Sequence, residues 1–186
     1  MVDYALLAKT IAALTEGETD PVALMATVAC EVHFSDARFD WTGFYRVVAP
    51  QVMKIGPYQG GHGCLVIPFS RGVCGAAARS GEIQRVSDVT VFKDHIACDS
   101  RTQSELVLPV YTGSGALLGV FDIDSHQRDA FDCRDAEALQ DILAKTFSRV
   151  HDTPLSGGLK LLVNFHETGI DEKKITFFME QPCCTA

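Results

Sequence analysis

The N-terminal part of the chain has the spacing of apolar positions that is typical of α-helices. Apolar residues recur every three or four positions over 4–14 and again after Pro21, so the pattern predicts two amphipathic helices. Gly17 is expected to close the first helix, and Asp20 is expected to cap the second, with Pro21 at its first position. The predicted inner face of the first helix comprises Leu6, Leu7, Ile11 and Leu14.

From residue 40 onward the pattern changes to aromatic and β-branched residues, which favour strands. The predicted strands cover residues 41–48, 52–58, 65–67, 83–86, 106–111 and 116–123, with 65–67 as a short buried strand. A short helix over 71–79 is expected to stop at Gly81, and a closing helix is expected to be capped by Asp132 or Asp135. Residues 87–104 show little periodicity and are predicted to form a long loop, which in a compact domain is usually functional.

Helices that flank a mostly antiparallel sheet indicate an α+β fold. Residues 1–152 are predicted to form one such domain. The composition shifts at 153–158, so 153–186 is predicted to be a C-terminal extension that ends in a mobile tail. Its two apolar runs, 159–165 and 175–179, could pair as a hairpin.

Composition and charge narrow the class of protein. With 47% hydrophobic and 22% charged residues, the chain is typical of ordinary globular domains. A net charge of −8 argues against nucleic acid as the main partner, because a phosphate backbone attracts basic surfaces. No apolar run reaches about 18 residues, which argues against a membrane span, and the N-terminus lacks the pattern of a signal peptide. A cytoplasmic location is therefore expected.

The seven cysteines include no CxxC pair, and a disulfide scaffold is not expected in a cytoplasmic protein. Cys98 is the candidate nucleophile on local grounds, because it lies in the long polar loop rather than in a core segment. A protonated His95 would stabilise its thiolate, whereas the neighbouring Asp99 would oppose it. The alternative interpretation is an inert loop thiol.

Three carboxyl groups are predicted to meet at one end of the sheet. Asp122 and Asp124 are two positions apart near the end of a strand, so they point to the same face. Pairing of strands 106–111 and 116–123 would bring Glu105 to the same end, facing the long loop. Like charges this close favour a retained proton or a bound cation. The alternative interpretation is a set of ordinary solvated strand ends.

Six short strings, in order along the chain, match one known family. They are 41–45 (WTGFY), 56–60 (GPYQG), 71–75 (RGVCG), 95–99 (HIACD), 104–109 (SELVLP) and 119–125 (GVFDIDS). With these strings the chain resembles the free methionine-(R)-sulfoxide reductases, which are single GAF-like domains. The resemblance covers about residues 4–150 and implies a GAF-like fold and the reduction of free methionine-(R)-sulfoxide.

The resemblance also implies a role for each matching residue. Cys98 corresponds to the catalytic cysteine, Cys64 to the cysteine that resolves the intermediate as a disulfide, and Cys74 to an auxiliary thiol. The residues expected to bind substrate are Trp41, Tyr45, Glu105, Asp122 and Asp124. Glu105 and Asp124 are both candidates for the group that protonates the sulfoxide oxygen. The implied partners are the free sulfoxide and a thioredoxin-like reductant, without metal or cofactor, and a homodimer is left open.

Three other functions compete with this one. A GAF-like domain can sense a small molecule without catalysis, because fold alone does not decide function. Four residues could form a tetrahedral zinc site, although their spacing is unusual for one: His62, Cys64, His95 and Cys98. A structural protein with an acidic docking surface is the third alternative, and it leaves the six strings unexplained.

Overall fold

The computed structural model describes residues 2–96 and 98–151, and the predicted extension over 153–186 lies outside this range. The helices are α1 (Tyr4–Leu14), α2 (Pro21–His33), α3 (Gly72–Ser80) and α4 (Cys133–Phe147), with one 3-10 turn at Val89–Val91. The strands are β1 (Trp41–Ala49), β2 (Val52–Gln59), β3 (Val66–Pro68), β4 (Gln84–Val86), β5 (Ser104–Tyr111) and β6 (Leu117–Ser125). All six strands form one antiparallel sheet flanked by helices, which confirms the predicted α+β class.

The sheet brings strands that are distant in sequence together at its centre. Its order is β3-β2-β1-β6-β5-β4. In the β1–β6 pair, Trp41 is opposite Asp124 and Gly43 is opposite Asp122. In the β5–β6 hairpin, Glu105 is opposite Asp124. Directly opposed residues in an antiparallel pair project from the same face, so one face of the sheet carries all of these positions.

The two faces of the sheet support separate hydrophobic cores. The larger core lies under α1, α2 and α4 and includes Phe44 and Phe121 from the central strands. The smaller core lies under α3 and includes Trp41, Tyr45 and Val120 from the same strands. Alternate residues of β1 and β6 therefore enter opposite cores, as the pleat of a strand requires.

Local signals place three helix ends as the sequence predicts, but the prediction that Gly17 closes α1 is wrong. That helix ends at Leu14 with Thr15 as its C-cap, and the Thr15 N–H bonds to the carbonyl groups of Ile11 and Ala13. The Asp20 carboxylate accepts hydrogen bonds from two N–H groups of the first turn of α2. Gly81 ends α3 with φ of 72°, a left-handed conformation that glycine adopts without a steric penalty. At α4 the Asp132 carboxylate accepts from the Asp135 N–H, and the Asp135 carboxylate accepts from the Asp132 N–H. Both candidate caps of this helix thus act together in a capping box.

The predicted inner face of α1 is wrong in part. Leu6 and Leu14 are 61% and 58% exposed. The side chains that α1 buries are Tyr4, Leu7 and Ile11. The Tyr4 hydroxyl donates a 2.6 Å hydrogen bond to Asp135 Oδ1, which fixes the rotation of the helix so that the Tyr4 stripe faces inward. Within residues 2–96 and 98–151, no helix has the length and apolarity needed to cross a bilayer.

The buried strand predicted over 65–67 is also wrong in part. The observed strand, β3, begins one residue later, and Leu65 and Val66 are 73% and 51% exposed. Only Ile67 is buried. β3 is an edge strand that pairs with β2 alone, so the flanking apolar side chains lack a second neighbouring strand to cover them.

Candidate active site

Three carboxyl groups meet where β5 begins and β6 ends, as the sequence predicts. Glu105 and Asp122 are each only 5% exposed, and Asp124 is partly buried beside them. Burial raises the pKa of all three carboxyl groups well above the usual range, and repulsion between the neighbouring carboxylates raises it further. The interpretation as solvated strand ends is therefore wrong, and each group favours its protonated form.

Cys74 and His95 lie against Glu105. The Cys74 thiol donates to Glu105 Oε1 at 3.9 Å, and His95 Nε2 lies 3.4 Å from Glu105 Oε2. Burial raises the pKa of the Cys74 thiol and lowers the pKa of His95, so both contacts join neutral groups. In this structure the His95 ring faces the carboxyl group of Glu105, and its stabilisation of a Cys98 thiolate stays a prediction.

One oxygen of the carboxyl cluster has no hydrogen-bond partner in the part of the chain that the structure describes. Asp122 Oδ1 is buried and lacks a hydrogen bond among the described residues. Ligand atoms of Cys74, Glu105 and Asp122 lie within 4.8 Å of one another. A buried acceptor without a donor is costly, so this point of the cluster is suited to a cation, either an ammonium group that donates a hydrogen bond or a metal ion that the oxygen ligates.

Cys64 and Cys98 form a disulfide with their Cα atoms 5.5 Å apart. Cys64 lies in the loop between β2 and β3, and Cys98 lies in the loop before β5, so the bond joins two loops on the site face of the sheet. The zinc site considered with His62 and His95 would use both of these sulfurs as thiolates. In the disulfide neither sulfur is a thiolate, so this form of the protein offers no such ligand set.

An aromatic wall faces the carboxyl cluster. The Trp41 ring stacks on Tyr45 and Tyr58 with centroid distances of 5.8 and 5.4 Å. The indole N–H donates to the Gly61 carbonyl at 3.1 Å. A Cβ at Gly43 would lie 2.7 Å from the indole, so the lack of a side chain at this position leaves room for the Trp41 ring. Trp41 is 7% exposed and also lines a cavity, so it is both a core residue and a pocket wall.

This cavity, of about 30 Å³, lies between the aromatic wall and the carboxyl cluster. Its walls include all five residues that the sequence assigned to substrate binding, together with Cys74 and Cys98. Cys64 is not among the lining residues and reaches the cavity through its bond to Cys98. The volume admits one or two water molecules, which is far less than an amino acid occupies. In the disulfide form the cavity is therefore too small for an amino acid.

The chain is similar to proteins of one family over most of its length. Residues 18–146 match the GAF domain. The free methionine-R-sulfoxide reductase of Escherichia coli is 37% identical over 142 residues, which cover 76% of this chain and 85% of that protein. The chain belongs to the GAF-domain family of free methionine-R-sulfoxide reductases. The resemblance noted in the sequence is confirmed.

Two solved structures of these reductases have the same fold. The Staphylococcus aureus protein, in complex with substrate, superposes with a TM-score of 0.76 at 34% identity and covers 81% of this chain and 97% of its own. The Neisseria meningitidis reductase, also in complex with its substrate, gives a TM-score of 0.72 at 38% identity and covers 78% of this chain and 89% of its own. Both levels of identity are well within the range in which the fold and the family are shared.

Sequence reasoning missed a charged network at the rim of this reductase site. His126 Nδ1 lies 3.0 Å from Asp40 Oδ1, and its Nε2 lies 3.7 Å from Asp99 Oδ2. Arg101 also binds Asp99, with Nη2 2.7 Å from Oδ2, and this pairing holds the pKa of Asp99 well below its usual range. The expectation that Asp99 would oppose a thiolate is weakened, because its charge is paired. No local sequence pattern points to this network, because it depends on the β1–β6 register, which brings Asp40 to the end of β6.

Proposed function

We propose that this chain reduces free methionine-R-sulfoxide to methionine, with Cys98 as the nucleophile. The observation that carries the proposal is the Cys64–Cys98 bond at a cavity floored by Glu105, Asp122 and Asp124. A sensing domain needs no pair of bonded cysteines beside its ligand. A reductase that oxidises itself during turnover needs such a pair.

The cavity surfaces suit the parts of the substrate. The carboxyl cluster, with its unpaired Asp122 oxygen, matches the α-ammonium group, which can donate to it. The stacked rings of Trp41 and Tyr45 match the methyl group on sulfur. The S. aureus and N. meningitidis relatives were solved with substrate bound, which supports the same ligand for this chain.

The proposed reduction begins with attack of the Cys98 thiolate on the sulfoxide sulfur. As the S–O bond breaks, the oxygen needs a proton, and the raised pKa of Glu105 and of Asp124 favours the protonated form that can supply it. The oxygen ends on Cys98 as a sulfenic acid, and methionine leaves. The sulfur of the substrate gains the two electrons that the cysteine sulfur loses.

The second half of the proposed cycle regenerates the thiols. The Cys64 thiol condenses with the Cys98 sulfenic acid, which forms the disulfide and releases water. A thioredoxin-type dithiol then reduces the disulfide by exchange. Because the cavity of the disulfide form is too small for an amino acid, substrate is expected to bind only after this reduction. The cycle needs no metal or organic cofactor, and its dependence on reduced thiols favours the cytoplasm.

Cysteine variants test this proposal. Cys98→Ser is expected to abolish the reduction of free methionine-R-sulfoxide. Cys64→Ser is expected to release about one methionine per enzyme in a single turnover and then to recycle poorly with thioredoxin. Cys133→Ser is the matched control, because this free cysteine is exposed and is not among the cavity-lining residues. Full steady-state activity of Cys98→Ser would overturn the nucleophile assignment, and normal recycling of Cys64→Ser would overturn the resolving role.

A further inference from the structure

The α-carboxylate of the proposed substrate needs its own receptor. The interior of the cavity is acidic, with Glu105, Asp122 and Asp124 on its floor, and none of the described residues that line it is a lysine or arginine. A carboxylate placed among these groups would be buried without a cation, which is costly. His95, the cavity imidazole that faces the acids, is kept neutral by burial, so it supplies no positive charge.

A second depression adjoins the mouth of the cavity. It is lined by Gly61, His62, Cys98, Asp99, Ser100 and Arg101. His62, Cys98 and Asp99 line both spaces, so the two are continuous around the nucleophile. This depression therefore offers the substrate carboxylate a space next to the nucleophile and outside the acidic floor.

Arg101 is the permanent cation of this depression. Its Nε lies 3.1 Å from both oxygens of Asp99, and its Nη2 lies 2.7 Å from Oδ2. These contacts occupy one edge of the guanidinium group and hold its plane in place. The Nη1 group has no hydrogen-bond partner among the described residues, so two N–H donors remain for a ligand.

We propose that Arg101 binds the α-carboxylate of the substrate through Nη1 and so selects the free amino acid over a peptide-bound residue. The inference rests on the proposed function and adds a specificity residue to it. In a peptide the carboxylate is replaced by a neutral amide, which cannot form this charged pair. Asp99 acts as a positioning residue, since it orients the guanidinium before substrate arrives.

The size of the effect follows from the exposure of the group. The Arg101 side chain is 67% exposed, so solvent weakens the pair compared with a buried one. A single charge-assisted hydrogen bond in such a setting is worth about a tenfold change in binding. We therefore expect Arg101→Met to raise KM for the free sulfoxide about tenfold, with a much smaller change in kcat.

The test compares two substrates in each variant. They are free methionine-R-sulfoxide and its α-carboxamide, which keeps the ammonium group and loses the negative charge. The readout is the ratio of kcat/KM for the acid to kcat/KM for the amide. Any disturbance of the Cys98 loop affects both substrates alike and cancels in this ratio. Arg101→Lys tests whether a charge alone restores part of it, and Arg128→Met is the matched control, an exposed arginine paired with Asp88.

The expected result is an acid-to-amide ratio that falls about tenfold in Arg101→Met, recovers in part in Arg101→Lys and stays at the wild-type value in Arg128→Met. An unchanged ratio in Arg101→Met would overturn the inference. A ratio that falls in His62→Gln and not in Arg101→Met would also overturn it, and would assign the carboxylate to the imidazole. If the wild-type protein reduces neither substrate, the proposed function fails, which is a different outcome from the failure of this inference.

Discussion

Formation of the Cys64–Cys98 bond is expected to stabilise the folded protein. The two cysteines are 34 positions apart. Closing a loop of this length in the unfolded chain removes chain entropy worth about 3 to 4 kcal/mol at 25 °C. Both cysteines lie in loops, outside the hydrogen-bonded strands of the sheet. The bond therefore stabilises the protein mainly by restricting the unfolded chain.

The assay is equilibrium unfolding in urea, with and without a thiol reductant. We expect the free energy of unfolding to fall by about 3 to 4 kcal/mol on reduction of the wild-type protein. The slope against urea concentration should rise as well, since a chain without the cross-link exposes more surface when it unfolds. Cys64→Ser is the control and should unfold alike in both conditions.

Two results would refute this reasoning. A wild-type protein whose stability changes by less than about 1 kcal/mol on reduction would show that the bond does not constrain the unfolded chain as calculated. A Cys64→Ser variant that still responds to the reductant would show that other thiols cause the change. In that second case a Cys30→Ser variant, which lacks a partly buried free cysteine, tests whether Cys30 is the thiol that responds to the reductant.

Two further predictions concern the sheet beneath the site. Asp122→Asn is expected to abolish activity yet stabilise the fold increasingly as pH rises from about 4. The reason is that the pKa of Asp122 is higher in the folded protein than in the unfolded chain. The Asp122 carboxyl group therefore stabilises the folded state fully at pH values below its unfolded pKa. This contribution is lost as the pH rises toward the folded pKa. Denaturation curves measured between pH 4 and 8 test this, and parallel curves for the two proteins would contradict it. Gly119→Ala is expected to destabilise the protein by about 3 kcal/mol, because the added Cβ would overlap the Tyr45 carbonyl oxygen in the β1–β6 pair. A thermal melt equal to that of the wild-type protein would be evidence against this packing.

Much of the site was predictable because its geometry follows from the two-residue period of a β-strand and from the pairing of neighbouring strands. Two acids separated by one apolar residue must share a face of a strand, and a short turn between two strands fixes which residues oppose them. Those two facts are enough to place Glu105, Asp122 and Asp124 together. Helix caps were predictable for a similar reason, since Asp20 and Asp132 act on N–H groups only two or three residues away.

The predictions were wrong or incomplete where the exposure and contacts of an element depend on its surroundings rather than on its own sequence. The exposure of Leu65 and Val66 follows from their place at the sheet edge, and no local pattern distinguishes an edge strand from a central one. The contact of His95 with Glu105 depends on the path of a long loop, which has no periodicity to analyse. The pairing of Cys64 with Cys98 was implied by resemblance alone, because composition offers no measure of which thiols approach one another.

The pairing of β1 with β6 also determines when the site can exist during synthesis. Trp41 and Tyr45 leave the ribosome long before Asp122 and Asp124, yet the aromatic wall and the acids are neighbours only through this central pair. Contacts so distant in sequence form late, after most of the chain is available. A nascent chain that stops before β6 would carry Cys64 and Cys98 without their full set of acids, so thiol reactivity in such a fragment would be uncoupled from sulfoxide reduction.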